Sequence, residues 1–201
     1  MNDKKDCCFI VGGGPSLSGF NWNHLDDQYV IAINRAYEVL PKADVLYFTD
    51  QDYWEVHKDK MKQHGGKLIR GTTRLGATHD DTVQEYKLTG QRVLDLEPGC
   101  LKHGNNSTYA AINLALFHLN FSTVYLLGVD MKWNQNKSHW HSGHKRTDPE
   151  IVYNNMINCY QELSQELLKY PDKKVINLND DSALKCFKTI SPTVFFKNLC
   201  N

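Results

Sequence analysis

The chain has 201 residues, 41% hydrophobic and 23% charged, and its 23 basic and 23 acidic side chains leave a formal net charge of zero. A chain of this size can bury one substantial core, and without excess positive charge it lacks the electrostatic footprint of a nucleic-acid or membrane-surface protein. Its polar first residues and its lack of a long apolar run predict a cytoplasmic protein without signal peptide or membrane span. Six cysteines without Cys-x-x-Cys spacing favour reduced thiols.

A glycine-rich turn follows the first predicted strand, an apolar run at residues 7–11. This turn, called the glycine turn below, consists of Gly12, Gly13, Gly14, Pro15 and Ser16. Glycine permits a positive φ and lets the oxygens of a ligand approach backbone N–H groups, so the turn is typical of phosphate binding. A helical segment opening after Pro15 would aim further N–H groups at the same point. The alternative is a tight turn without a ligand.

Strands and helices alternate along the rest of the chain. After a short helical or turn segment at 21–27, we predict strands at 29–34, 43–50, 67–70, 91–96, 123–130 and 173–179, and helices at 51–63, 105–119 and 149–169. Residues 71–90 are expected to form a mobile flap, and residues 131–146 a loop rich in histidine and tryptophan. The tail is expected to dock Phe195 and Phe196 on the core. This order predicts a single α/β domain over residues 1–201, with a Rossmann-like, open, mostly parallel sheet and helices on both faces.

Polar residues follow several of these strands, at the edge where open parallel sheets bind their ligands. After the glycine turn come Asn34 with Arg35, then Asp50, and then Asp130. The cap of the predicted helix at 105–119, with Asn106, Ser107 and Thr108, could add backbone N–H groups at the same edge. Asp50 and Asp52 could hold Mg²⁺ beside a bound phosphate, or could simply cap the helix that follows.

Three histidines lie close together in the loop at 131–146: His139, His141 and His144. Histidine titrates near neutral pH, so one of them could act as a general base or contact a leaving phosphate. Their spacing could also bind a metal, with Asp130 as a carboxylate partner. Surface histidines that only form hydrogen bonds are the remaining interpretation.

The segment from Ile10 to Leu17 resembles the G-x-G-P-S-L opening of glycosyltransferase family 42, the bacterial sialyltransferases. The same opening occurs in domain-of-unknown-function 115 proteins, which include archaeal 6-hydroxymethylpterin pyrophosphokinases. The similarity continues through 106–115 and 124–130, reappears at 138–148, and is strongest to phage-encoded members. Two positions depart from the family: Gly13 replaces an asparagine, and Tyr109 replaces a glycine.

The sialyltransferase resemblance implies a nucleotide-sugar site that needs no essential metal or other cofactor. It places the glycine turn and Asn34 near the nucleotide, and Ser107 and Thr108 near a phosphate or the ribose. It also implies that His144 is the base that activates the acceptor. From the histidine cluster itself, His139 is the second choice for base or phosphate contact.

Two alternative functions would use the same site at the carboxyl edge of the sheet. The pyrophosphokinase resemblance implies ATP and Mg²⁺, with metal-binding roles for Asp50 and Asp130. A non-catalytic protein that sequesters a nucleotide would need the glycine turn and the helix caps but no base. We therefore predict a nucleotide-binding transferase of a bacterial or phage-infected cell, with glycosyl transfer as the first hypothesis. Its partner would be a nucleotide or nucleotide sugar, with no nucleic-acid or membrane partner, and the chain could form a homo-oligomer.

Overall fold

The computed structural model describes residues 6–132 and 149–199. Within these residues the strands are β1 (Cys7–Val11), β2 (Val30–Ile33), β3 (Val45–Phe48), β4 (Lys67–Thr72), β5 (Val83–Gly90), β6 (Cys100–Lys102), β7 (Thr123–Leu127), β8 (Lys174–Asn177) and β9 (Lys188–Thr189). They form one sheet in the order β6-β5-β4-β3-β2-β1-β7-β8-β9. Every neighbouring pair is parallel. The predicted open, parallel, Rossmann-like α/β sheet is confirmed.

The α-helices of the described residues are α1 (Gln51–His64), α2 (Ser107–Asn113), α3 (Pro149–Glu166) and α4 (Pro192–Leu199). The first of these ends at Gly65, whose φ of +83° provides the left-handed stop typical of a helix C-terminus. The second continues as a π-helix over Leu114–His118. The segment predicted as helix or turn at 21–27 contains a 3₁₀ turn, Trp22–Leu25.

The side chains of β1 show how both faces of the sheet are covered. Cys8 and Ile10 pack into the core layer that contains α2 and α3. Phe9 and Val11 point the other way, into the layer that contains α1 and α4. All four are at most 1% exposed, as expected for a central parallel strand. Phe196 of α4 stacks on Phe9 with ring centroids 5.9 Å apart, so the tail docks on the core as predicted.

The strand predicted at 91–96 is wrong. Side chains of α2, rather than a neighbouring strand, bind the backbone of this segment. Asn113 accepts a hydrogen bond from the Asp95 N–H and donates one to the Asp95 carbonyl, both at 2.9 Å. The Tyr109 hydroxyl donates to the Val93 carbonyl at 2.7 Å. Val93 itself has a φ of +58°, which is incompatible with a continuous strand.

Half of the segment predicted as an irregular flap, residues 71–90, lies in strands. Gly71 and Thr72 complete β4, and the last eight residues form β5. The connection between the two strands is tied to β5 by Glu85, whose carboxylate accepts the N–H groups of Gly76 and Thr78. Val83 and Tyr86 lie three positions apart on opposite faces of β5 and are buried in the two core layers. The polar residues between and around them concealed the strand in the sequence.

The five cysteines in the described part of the chain are free thiols. Over the same residues, no helix combines the length and apolar character needed to cross a membrane.

Candidate functional site

The order of the strands reverses at β1. Strands β2 to β6 follow one another on one side of β1, and β7 lies on the other side. In open α/β sheets, ligands bind beyond the carboxyl ends of the strands at such a switch point. The glycine turn follows β1 and residues 128–130 follow β7, so the topology brings these two loops together.

The Asp130 carboxylate joins the two loops. Its Oδ2 accepts the Ser16 N–H at 2.8 Å, and its Oδ1 accepts the Ser16 hydroxyl at 2.5 Å and the Asn179 amide at 2.8 Å. Asp130 is only 5% exposed, and both of its oxygens are engaged within the protein. This arrangement makes Asp130 a positioning residue for the glycine turn, while the metal-binding role that the pyrophosphokinase resemblance implies for it stays a prediction.

Two glycines allow the close approach of these loops. A Cβ on Gly14 would lie 2.4 Å from Asp130 Oδ1, and one on Gly12 would lie 2.8 Å from the Gly128 carbonyl oxygen. The N–H groups of both residues are used within the protein, because they donate to the carbonyls of Leu127 and Gly128 at 2.8 Å. Gly13, the third glycine of the turn, differs from these two. Its N–H has no acceptor across the described residues, and Gly13 lines a cavity.

The glycine turn does not open a long helix. Pro15–Leu17 is a single 3₁₀ turn, and the Ser16 N–H is bound by Asp130. The expected row of N–H groups pointing to a ligand is therefore absent from this segment, and Gly13 supplies the N–H that is left.

A cavity of about 330 Å³ opens beside this junction, within the size range of small-molecule sites. Its walls come from the ends of β1, β2, β3 and β7, from β5, and from the starts of α2 and α3. It brings together eight of the predicted site residues: Gly13, Gly14, Asn34, Asp50, Asn106, Ser107, Thr108 and Asp130.

Asn34 has the most unusual environment of these residues. Its φ is +49°, in the left-handed region that non-glycine residues seldom occupy. Its Oδ1 is buried and has no hydrogen-bond partner among the described residues. Buried polar atoms are normally paired, so this oxygen is a candidate contact for a ligand in the cavity.

The start of α2 is fixed beside the carboxyl end of β3. The Asn106 side chain caps the helix, with Oδ1 accepting the N–H groups of Thr108 at 2.8 Å and Tyr109 at 3.3 Å. The same oxygen accepts the Tyr160 hydroxyl of α3 at 3.0 Å. The hydroxyls of Ser107 and Thr49 lie 3.1 Å apart, which ties the helix start to the strand end. The predicted cap thus forms part of the cavity wall.

Arg35 and Asp50 are placed differently from one another. Arg35 does not line the cavity; its guanidinium binds the Glu38 carboxylate at 2.8 Å, and this hydrogen bond raises the pKa of Arg35. Asp50 lines the cavity and is exposed. It precedes the first turn of α1 without a side-chain hydrogen bond to the helix N-terminus, so the predicted side-chain cap is not formed.

The histidine cluster, His139, His141 and His144, lies outside the described residues. Within the described ranges, no group of three or more His, Cys, Asp or Glu side chains is arranged to hold a metal ion.

Several cavity residues were missed from the sequence, among them Tyr53, His103, Lys132 and Tyr153. Tyr53 had a usable signal, because it lies three positions after Asp50 and so shares its side of α1. Burial raises the pKa of Tyr53, and its hydroxyl is buried without a partner among the described residues. His103 had no such signal, since the short strand that precedes it was itself not predicted.

Comparison with solved structures identifies proteins that share this fold. The chain matches the MAf glycosyltransferase from Magnetospirillum magneticum AMB-1 with a TM-score of 0.59 and 17% identity, over 99% of this chain and 37% of that one. The sialyltransferase CST-II, in a structure with a trisaccharide acceptor and CMP, matches with a TM-score of 0.56 and 15% identity, over 92% of this chain and 86% of that one. The fold is glycosyltransferase-like.

At these identities the likeness shows the fold alone, and the chain spans little more than a third of the MAf protein. The glycosyltransferase-like fold confirms the predicted similarity to sialyltransferases at the level of architecture. No protein-family model matches the chain, and no curated protein matches it.

Proposed function

We propose that this protein binds a nucleotide sugar in the cavity and transfers the glycosyl group to an acceptor hydroxyl. The observation that carries the proposal is the buried, unpartnered Oδ1 of Asn34 on a left-handed backbone. An unpaired buried polar atom costs about 1–3 kcal/mol. A ligand that hydrogen-bonds to Asn34 would offset this cost.

The chemistry of Asn34 Oδ1 limits which part of the ligand it can contact. A carbonyl oxygen only accepts hydrogen bonds, so its partner must be a donor. A fully ionised phosphate has no donor, whereas a ribose hydroxyl and a base amino group do. We therefore assign Asn34 to the nucleoside part of the ligand.

The Gly13 N–H is suited to the phosphate. It has no acceptor among the described residues, and it belongs to a turn that Asp130 holds in place. Negative charge grows on the leaving phosphate as its bond to the sugar breaks, and a donor fixed in advance stabilises that charge. The CST-II structure contains CMP, and this supports a nucleotide as the ligand of a protein with a similar fold.

The acceptor hydroxyl needs a base. In our proposal His144 takes its proton, and His139 is the second choice. An imidazole with an ordinary pKa near 6.5 can accept a proton at neutral pH. Neither histidine is described by the structure, so this step rests on the sequence resemblance alone.

A thermal-shift screen tests the binding step. Purified protein would be heated with CMP, UDP, GDP, ATP and their sugar derivatives, each with Mg²⁺ or EDTA. A ligand at 100 times its Kd stabilises the fold by about 2.7 kcal/mol, which is roughly 5–10 °C in Tm for a chain of this size. A metal-independent shift supports the proposal. A shift that requires ATP and Mg²⁺ favours phosphoryl transfer, and no shift with any nucleotide refutes a nucleotide site.

Replacement of His144 separates a transferase from a sequestering protein. His144→Asn should bind the nucleotide as the wild type does and lose nucleotide release from the sugar donor. His79→Asn is the matched control, because His79 is exposed, does not line the cavity, and has a left-handed backbone that asparagine tolerates. Nucleotide binding without any turnover by the wild type, over a panel of acceptors, would favour sequestration.

A further inference from the structure

Lys132 lines the cavity on the β7 side of the glycine turn. Strand β7 is one neighbour of β1 in the sheet and β2 is the other, so Lys132 and Asn34, which come after these two strands, lie on opposite sides of the turn. Lys132 is two positions after Asp130, and two residues of chain span at most about 7 Å. The Asp130 carboxylate itself contacts Ser16. Lys132 is therefore next to the glycine turn, on the side away from Asn34.

Lys132 supplies the positive charge of the cavity. Among the described residues that line the cavity, Lys132 is the only lysine or arginine. Burial and the neighbouring Lys102 lower the pKa of His103, another lining residue, so its imidazole is neutral at neutral pH. Of the lining carboxylates, that of Asp130 is engaged within the protein, and Asp50 follows β3, on the far side of the turn. A negative group of a ligand on the β7 side thus meets one cation.

The Lys132 ammonium is paired with a carboxylate that faces solvent. Its Nζ lies 2.8 Å from Asp181 Oδ1, and the Asp181 side chain is 81% exposed. This hydrogen bond lowers the pKa of Asp181, so the carboxylate is ionised at neutral pH. Exposed ion pairs contribute little to stability. An oxyanion that enters the cavity can therefore replace the Asp181 carboxylate as the partner of Lys132 at little cost.

The loops that carry Lys132 and Asp181 are bound to each other. The Ala183 N–H donates to the Asp130 carbonyl at 2.8 Å. The Asn179 amide donates to the Asp130 carboxylate at 2.8 Å and accepts the Asp181 N–H at 3.0 Å. These contacts hold both backbones in place. The ion pair can thus open by movement of its two side chains alone.

We infer that Lys132 binds an oxyanion of the ligand and exchanges the Asp181 carboxylate for it. The oxyanion is a phosphate oxygen or a carboxylate on the transferred glycosyl group, because either accepts the N–H groups of an ammonium. The inference rests on the proposed function and adds the residue that neutralises the charge of the ligand. It also makes Asp181 a competitor of the ligand, since the ion pair must open before Lys132 can bind.

Substitutions on the two sides of the ion pair should have opposite effects. Lys132→Gln removes the charge, Lys132→Arg keeps it, and Asp181→Asn releases Lys132 from its partner. The matched controls are Lys185→Gln and Asp180→Asn, which make the same changes in net charge at exposed positions that do not line the cavity. Each protein would be titrated calorimetrically, without metal, with CMP, CMP-sialic acid, UDP, UDP-glucose, UDP-glucuronate, GDP and GDP-mannose.

The expected result concerns the ligands that the wild type binds. Lys132→Gln should bind them about tenfold more weakly, and Lys132→Arg should recover most of the loss. Asp181→Asn should bind the same ligands about two- to fivefold more tightly, which corresponds to the strength of an exposed ion pair. A loss in Lys132→Gln that includes the free nucleotide assigns Lys132 to a phosphate. A loss confined to CMP-sialic acid or UDP-glucuronate assigns it to the carboxylate of the sugar.

Equal affinity of Lys132→Gln and the wild type for every ligand overturns the inference and leaves the proposed function intact. An equal loss in Lys185→Gln does the same, because the effect would then come from net charge alone. Unchanged or weaker binding by Asp181→Asn, or equally tight binding by Asp180→Asn, overturns the exchange of partners. Failure of the wild type to bind any of the seven ligands refutes the proposed function itself.

Discussion

Replacement of Asp130 by asparagine should loosen the glycine turn. The carboxylate accepts three hydrogen bonds, two from Ser16 and one from Asn179. In Asp130→Asn, the best amide orientation keeps Oδ1 for the Ser16 hydroxyl and Asn179, and turns its NH₂ group toward the Ser16 N–H. Two donors then face each other where a 2.8 Å hydrogen bond had been.

The expected decrease in the free energy of unfolding comes from the lost hydrogen bond and from the lost negative charge of Asp130. A hydrogen bond to a charged group contributes about 1.5–3 kcal/mol and a neutral one about 0.5–1.5 kcal/mol. Ser16 is exposed enough for water to reach its N–H, and this limits the penalty to about 2 kcal/mol in total. For a chain of this size that is a fall in Tm of roughly 4–8 °C. Ligand affinity should fall as well, because the turn is no longer held in place.

Differential scanning calorimetry measures the first effect and nucleotide titration the second. Asp181→Asn is the control, since the Asp181 carboxylate forms an ion pair with Lys132 while its side chain is 81% exposed, and its Tm should not change. Equal Tm values for the two variants would refute the role given to Asp130 as the residue that positions the turn.

Three further predictions concern the cavity and the segment beside it. Asn34→Gly accommodates the left-handed backbone and removes the amide, so calorimetry should show nearly wild-type stability with nucleotide affinity about tenfold lower; unchanged affinity would contradict the proposed contact. Asn113→Ala removes hydrogen bonds to the backbones of Asp95 and Lys102, and urea unfolding should show a loss of about 3 kcal/mol; a loss below about 1 kcal/mol would mean that water replaces them. The pKa of His103 is lowered in the folded state by burial and by Lys102, so His103 takes up a proton more readily in the unfolded chain than in the folded one. His103 should therefore lower the free energy of unfolding as the pH drops below about 6.5, and have no effect on it above that pH. In urea unfolding at pH 5.5 and 7.5, His103→Asn should reduce that loss, and equal losses would argue against a depressed pKa.

The general architecture could be predicted because the central strands are continuous apolar runs. Residues 7–11 and 45–48 are buried on both faces, and only a parallel sheet covered by helices explains such a pattern. The end of β7 was placed three residues too late, because Gly128 turns the chain with a φ of +66°. That turn is what lets Asp130 reach back to Ser16, and apolar periodicity carries no information about it.

The edge of the sheet was harder to predict for a physical reason. Residues 91–96 have a strand-like composition, but the side chains that bind their backbone belong to α2, more than ten positions later. Likewise, strand ends correctly indicated Asn34 and Asp50 as cavity residues, whereas His103 depends on a three-residue strand and a left-handed turn. The phage origin, the compartment and the oligomeric state remain predictions.

The contact between Ser16 and Asp130 spans 114 positions, and this separation sets the order in which the site is assembled. Domains emerge from the ribosome N-terminal part first, so strands β1 to β6 are made well before Asp130 exists. The cavity wall also includes Met156 of α3. A growing chain therefore has a glycine turn without its anchor until residue 130 has been synthesised, and a cavity without its α3 wall until residue 156 has been added. Nucleotide binding would then indicate that the fold is complete. A ligand added during refolding should bind only those molecules in which the whole sheet has formed.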